Sequence, residues 1–142
     1  MFSTPLLTVA SLRSFMPESI ELLTSSLLAD PSSSTMKLLK AAASTLFNLS
    51  RLSLEESVGP SEDEIISILV ALVESLKKLV ENDASDYKDL QRLLVVCIGG
   101  FLVLGRDSIT VKEVLEGIEA ADIIMKVEGE TSHEVVKLVT NA

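Results

Sequence analysis

Apolar residues recur along this chain with the period of α-helices rather than that of β-strands. The clearest case is residues 62–80, where apolar side chains follow at every third or fourth position. The opposite face carries Asp63, Ser67, Glu74 and Lys78, which predicts a helix with one buried and one solvated face. Strict alternation of polar and apolar residues, the mark of a half-buried strand, is not convincing anywhere. The two short strand candidates, residues 109–111 and 123–127, lie in helical surroundings.

Capping signals and prolines predict where the helices begin and end. In a capping box, a Ser or Thr and a Glu three residues later bond each other's backbone N–H. Three pairs have this spacing: Ser61–Glu64, Thr110–Glu113 and Thr131–Glu134. Ser34 is expected to cap a helix over residues 35–52, and Gly105 to end a helix over residues 86–104 in a left-handed conformation. Pro5 and Pro17 are each expected in the first turn of a helix, where the missing N–H costs nothing.

Two of the predicted helices resemble each other. Residues 36–52 align without gaps with residues 88–104 at an offset of 52 (88 − 36), so that Lys40 falls on Arg92 and Asn48 on Gly100. Short helices joined by short loops form either a compact bundle or a solenoid, and the repeat favours the solenoid. The prediction is one all-α domain over residues 1–142, with about six to eight helices. Its expected architecture is an armadillo-like right-handed helical solenoid with a partial set of repeats.

Composition and charge narrow the expected partners and compartment. Of the 142 residues 47% are hydrophobic, and the formal net charge is −9. An acidic surface repels phosphate groups and anionic lipids, so neither nucleic acid nor a membrane is an expected partner. The apolar run over residues 93–104 is too short to cross a bilayer, and residues 5–10 are expected to begin a helix rather than a signal peptide. A single cysteine excludes an intramolecular disulfide, and the cytoplasm or nucleus is the expected compartment.

Residues with catalytic or metal-binding chemistry are sparse. One histidine, His133, and one cysteine, Cys97, are too few for a transition-metal site, and Cys97 is expected to be a small buried hydrophobe. Gly99 and Gly100 lack the strand and lysine of a phosphate loop and are expected to allow close approach of a helix or peptide. The acidic clusters at residues 55–56 and 62–64 are expected to complement helix dipoles. We therefore expect no enzymatic activity and no cofactor.

Residues 43–50, Ala-Ser-Thr-Leu-Phe-Asn-Leu-Ser, resemble the third helix of an armadillo repeat. Together with residues 91–99 and the segment 134–139, their order resembles the C-terminal half of a PUL domain. This is the armadillo-like module of phospholipase-activating-protein-like factors of the ubiquitin pathway. The resemblance covers residues 35–142, and residues 1–30 more loosely. The chain has about half the family's length, so the remaining repeats are expected to be missing or to belong to a longer protein.

The resemblance implies a protein–protein interaction module that binds the C-terminal tail of the valosin-containing AAA+ unfoldase in a basic concave groove. The implied peptide-binding residues are Lys40, Asn48, Arg51 and Arg92, with Lys37 beside them. For Asn48 the alternative is a hydrogen bond to a neighbouring backbone or loop, because apolar residues flank it.

The alternative function is a structural scaffold or assembly domain whose apolar surface packs on a partner or on a second copy. An enzyme is a more distant third. A solenoid that lacks its first repeats exposes apolar surface at its N-terminal end. We therefore expect either self-association or packing of residues 1–15 over that end.

Overall fold

The computed structural model describes residues 9–29, 32, 34–56, 60–82, 87–127 and 129–140, and only the backbone of residues 9–17, 56 and 82. These residues form seven α-helices and no strand, which confirms the all-α prediction. The helices are α1 (Val9–Leu27), α2 (Met36–Glu56), α3 (Glu62–Asn82), α4 (Lys88–Leu104), α5 (Ile109–Gly117), α6 (Ala120–Met125) and α7 (Glu130–Thr140). Pro5 lies outside the described residues.

The helices pack as three consecutive groups. α1 packs on α2, α3 on α4, and α5 and α6 on α7. Equivalent helices of neighbouring groups then contact each other. α3 lies against α1, α5 and α6, while α4 lies against α2 and α7. We call α1, α3, α5 and α6 the first layer, and α2, α4 and α7 the second layer.

α3 begins as the sequence predicts but is buried more extensively. The backbone N–H of Ser61 donates to Glu64 Oε1 at 2.7 Å, and that of Glu64 donates to Ser61 Oγ at 3.3 Å, so this capping box is confirmed. The acidic residues 62–64 lie in the first turn, where they complement the dipole. Burial is not confined to one stripe, because α3 packs on α1, α4, α5 and α6. Its buried residues are Ile65, Ile68, Leu69, Ala71, Leu72, Val73, Ser75, Leu76 and Leu79.

The N-terminus of α2 is capped by a different serine from the one predicted. The N–H of Thr35 donates to Ser32 Oγ at 3.2 Å, and the N–H of Ser32 donates to Thr35 Oγ1 at 3.0 Å. This reciprocal pair is a capping box with threonine in place of glutamate. Ser34 lies between the two residues, and its hydroxyl is 2.9 Å from that of Ser32. α2 ends at Glu56 rather than at residue 52.

The other two predicted capping boxes are wrong. α5 begins at Ile109 because Ser108, in an extended conformation, accepts the N–H of Val111 at 3.2 Å. Ser108 therefore caps the helix two residues before the predicted position, and Thr110 lies inside α5. α7 begins at Glu130, so Thr131 lies in its first turn rather than before it.

Pro17 and Gly105 also differ from expectation. α1 runs through Pro17 instead of beginning there, because packing on α2 and α3 holds the helix despite the backbone hydrogen bond that proline removes. Gly105 has φ of −101°, so it is not left-handed. Its missing Cβ instead leaves room for neighbours, since a Cβ there would lie 3.3 Å from side-chain carbons of Ile65 and Val111.

Candidate functional site

α2 and α4 lie side by side in the register of the sequence repeat. The thiol of Cys97 donates to the carbonyl of Ala43 at 3.2 Å, an offset of 54 residues (97 − 43). A Cβ on Gly100 would lie 2.7 Å from Ser50 Oγ, an offset of 50 residues (100 − 50). Both contacts advance together along the chain, so the helices run in the same direction. Their offsets bracket the predicted value of 52, which brings Lys40 level with Arg92.

Two adjacent glycines of α4 allow both neighbours in the second layer to approach closely. Gly100 faces α2 through Ser50, and a Cβ on Gly99 would lie 3.1 Å from Val135 Cγ2 of α7. A distance of 3.1 Å is shorter than most contacts that Cβ atoms make in proteins, so α7 lies closer to α4 here than a larger residue would allow. The prediction that these glycines admit a neighbouring helix is confirmed.

Four of the residues singled out in the sequence share the exposed face of α2. Lys37, Lys40, Asn48 and Arg51 are all exposed. Their spacing places them together, because positions separated by 3, 11 or 14 residues lie close to one face of a helix. We call these four residues the α2 strip. The opposite face is buried and consists of Leu39, Ala42, Ala43, Leu46, Ser50 and Ser53.

The α2 strip is basic in a protein that is acidic overall. α2 contains three basic residues, all of them in the strip, and two acidic residues, Glu55 and Glu56, in its last turn, whereas the whole chain carries a net charge of −9. Lys37 and Lys40 make no ion pair with any part of the chain that the structure describes. Both side chains are exposed to solvent.

The remaining side chains of the site have few intramolecular bonds. The Arg51 guanidinium lies 5.9 Å from the centre of the half-buried Phe47 ring, within cation–π range. Arg92 Nη1 is 3.6 Å from Asp89 Oδ1, with 60% and 87% of the two side chains exposed, so this ion pair contributes little. Asn48 makes no hydrogen bond within the described residues, so the alternative of a bond to a neighbouring backbone or loop is not observed there.

Several charges oppose the dipoles of the helices that carry them. Lys37 lies in the first turn of α2 and Lys88 in the first turn of α4, where the helix end is already positive. Glu55 and Glu56 lie in the last turn of α2, so the expectation that they complement a dipole is wrong. Each such placement costs about 0.3–1 kcal/mol at an exposed site. Local rules of this kind are broken most often at functional sites.

Two apolar residues beside the α2 strip were missed in the sequence. Phe47, Arg51 and Leu54 are spaced by four and three residues and so lie along one edge of α2. Leu54 is 47% exposed. The spacing of these residues can be read from the sequence, but it does not show which apolar residues of α2 face solvent.

The single cysteine is placed as the sequence predicts. Cys97 is fully buried, and burial raises the pKa of its thiol to about 12. His133 is exposed on α7. Among the described residues, no group of three or more His, Cys, Asp or Glu side chains could hold a metal ion. None of the helices described here is long and apolar enough to span a membrane.

Comparison with known proteins identifies the family. The family model of the PUL domain matches residues 1–141, including the N-terminal residues where the resemblance in the sequence was loose. No curated protein and no solved structure matched the chain. The PUL domain is a protein–protein interaction domain rather than a catalytic one. Because the match spans almost every residue, this chain belongs to the PUL domain family.

Proposed function

We propose that this chain is an adaptor module of the ubiquitin pathway that binds the C-terminal peptide of an AAA+ unfoldase in the cytoplasm or nucleus. The observation that carries the proposal is the α2 strip, an exposed row of basic residues and one amide in an acidic protein. The peptide would lie on the exposed face of the second layer. Its site residues would be Lys40, Asn48, Arg51 and Arg92.

We further propose an armadillo-like right-handed solenoid as the architecture. Within each layer, equivalent helices of successive groups pack on one another, and this supports the proposal, because a solenoid stacks each repeat on the equivalent helices of the next. The register between α2 and α4 supports it as well. In such a stack equivalent helices present equivalent positions, as Lys40 and Arg92 do.

The chemistry of the strip suits an acidic peptide. Arg51 and Arg92 each carry a planar guanidinium that can bond both oxygens of a carboxylate. Asn48 offers two donors and an acceptor, which can bond the backbone of an extended peptide. Phe47 and Leu54 supply an apolar surface next to Arg51 for an aromatic side chain of the ligand.

A titration with the unfoldase's labelled C-terminal peptide, followed by fluorescence anisotropy, tests the proposal. Arg51→Ala, Arg92→Ala and Asn48→Ala should each weaken binding; for the two arginines we expect about tenfold, since a charge-assisted hydrogen bond contributes about 1.5–3 kcal/mol. Thermal unfolding should barely change, because all three side chains are exposed. Lys77→Ala is the matched control, because Lys77 is also an exposed basic residue but lies on α3 in the first layer.

The titration also has a clear negative outcome. If Lys77→Ala weakens binding as much as Arg51→Ala and Arg92→Ala do, binding depends on net charge alone and the site assignment is wrong. If the wild-type protein ignores the peptide at millimolar concentration, the proposed partner is wrong.

A scaffold or assembly domain is the second candidate. Leu22 on α1 is 68% exposed and Leu38 on α2 is 46% exposed, so both of the first two helices present large apolar side chains to solvent. A scaffold would associate through this surface and ignore the peptide. Absence of peptide binding together with concentration-dependent self-association would favour this function.

A further inference from the structure

α4 packs on α2 through a face whose counterpart on α2 is exposed to solvent. On α4 this face includes Cys97 and Gly100, which meet the backbone and a side chain of α2. The repeat offset of 52 makes Thr45 the equivalent of Cys97 (97 − 52) and Asn48 the equivalent of Gly100 (100 − 52). Cys97 is fully buried, whereas Thr45 and Asn48 are both exposed. The side of α2 that corresponds to a helix-packing side of α4 is therefore uncovered.

Thr45 and Asn48 belong to a row of uncharged residues that runs along α2 on the side away from α4. Positions three or four residues apart lie on one side of a helix, and this spacing continues in both directions. We call the row the lateral face, and its residues are Leu38, Ala41, Thr45, Asn48 and Leu52. Leu52 is half-buried and the other four residues are exposed. Leu38 is 46% exposed, although its equivalent on α4, Leu90 (38 + 52), is buried.

Two opposite charges flank the two ends of the lateral face. Lys37 and Glu55 are separated by about five helical turns, so they lie on the same side of α2, about 60° from the middle of the lateral face. Both side chains are exposed, and neither makes an ion pair within the described residues, although Arg51 lies one turn before Glu55. Lys37 in the first turn and Glu55 in the last turn both oppose the dipole of α2. Neither charge therefore stabilises the helix that carries it.

An antiparallel second copy of α2 accounts for the lateral face and the two charges together. In a two-fold pair the same surface of each copy meets the other. If the two-fold axis passes position 46, midway between Lys37 and Glu55, each Lys37 lies level with Glu55 of the second copy and on the same side of the pair. A parallel pair would instead bring like charges together. Lys40 and Arg51 lie about 100–120° from the middle of the lateral face and so point away from the second copy.

We infer that two copies of this chain pair through the lateral faces of α2, in antiparallel orientation, with reciprocal ion pairs between Lys37 and Glu55. The inference goes beyond the proposed function and does not rest on it. The two are linked by Asn48, which belongs both to the lateral face and to the α2 strip. Pairing would therefore cover one of the proposed peptide contacts and compete with peptide binding.

Reversal of single charges, followed by sedimentation equilibrium from micromolar to millimolar concentration, tests the inference. Lys37→Glu and Glu55→Lys should each weaken dimerisation by about tenfold, because each turns two surface ion pairs of the dimer into repulsions. An equimolar mixture of these two variants should regain dimerisation, since each chain then offers the charge that the other lacks. Lys40→Glu is the matched control, because it makes the same change of charge at an exposed position of α2 that points away from the lateral face. It should change dimerisation little.

The outcomes decide the inference independently of the peptide titration. A wild-type protein that remains monomeric at millimolar concentration overturns it. It is also overturned if the mixture of Lys37→Glu and Glu55→Lys associates no better than either variant alone. The same holds if Lys40→Glu weakens association as much as Lys37→Glu does, because that indicates an effect of net charge. Failure of the peptide to bind would refute the proposed function and leave the paired α2 helices standing.

Discussion

Replacing Gly100 by alanine tests whether the contact between α2 and α4 is as close as the structure indicates. The added Cβ would lie 2.7 Å from Ser50 Oγ and 3.1 Å from Ser50 Cβ. Ser50 cannot easily move aside, because it is buried and its hydroxyl donates to the carbonyl of Phe47 at 2.8 Å. The two helices must therefore separate slightly to admit the methyl group.

Two opposing effects set the magnitude. Alanine is favoured over glycine in a helix by about 1 kcal/mol, whereas overpacking a close contact costs about 1–3 kcal/mol. The net change should be a loss of about 1 kcal/mol, which corresponds to a fall of about 3 °C in Tm for a chain of this size. Gly117→Ala should have the opposite sign. Gly117 is also helical and lies at the end of α5, and a Cβ added there would meet no neighbouring atom of the described residues within 4 Å.

Urea unfolding followed by circular dichroism measures both variants. The midpoint should fall for Gly100→Ala and rise slightly for Gly117→Ala, with unchanged slopes. A double-mutant cycle with Ser50→Gly should show favourable coupling, since removing the Ser50 side chain makes room for the new methyl group. If Gly100→Ala is as stable as Gly117→Ala, the helices are not in close contact and the level placement of Lys40 and Arg92 is unsupported.

Three further outcomes are expected. Lys37→Glu should raise stability by about 0.3–1 kcal/mol, because it replaces a charge that opposes the α2 dipole. The same change should weaken peptide binding. A fall in both stability and binding would contradict the idea that Lys37 serves binding at a cost in stability. Cys97 should react with a thiol reagent at pH 8 only as fast as the protein unfolds, and rapid labelling of the native protein would show that Cys97 is accessible. The free energy of unfolding should fall as pH rises from about 9 to about 12, because in this range the thiol of the unfolded chain ionises and the buried thiol does not. Deleting residues 1–15 should lower stability or abolish self-association, and a strict monomer by light scattering whose stability survives the deletion would refute both expected roles of that segment.

The sequence alone determined which segments are helical and how two of them correspond. Helical period and the Ser61–Glu64 box depend on residues within four positions of each other, so they can be recognised without knowing the fold. The alignment of residues 36–52 with 88–104 also agrees with the register of α2 against α4 in the structure, because equivalent helices that pack in the same direction keep their register. Lys40, Asn48 and Arg51, which the family resemblance implied as site residues, have the spacing of one helix face, and the structure places all three side chains in solvent.

The tertiary structure decided where each helix face points and which local signal prevails. Asn48 has apolar neighbours in sequence and is nevertheless exposed, because adjacent residues of a helix point in directions about 100° apart. Pro17 remains inside α1, since packing on α2 and α3 outweighs a local preference. The position of α4 between α2 and α7 became visible only when Gly100 was found against Ser50 and Gly99 against Val135. Local patterns specify helices, whereas long-range packing determines which charges lie within reach of one ligand.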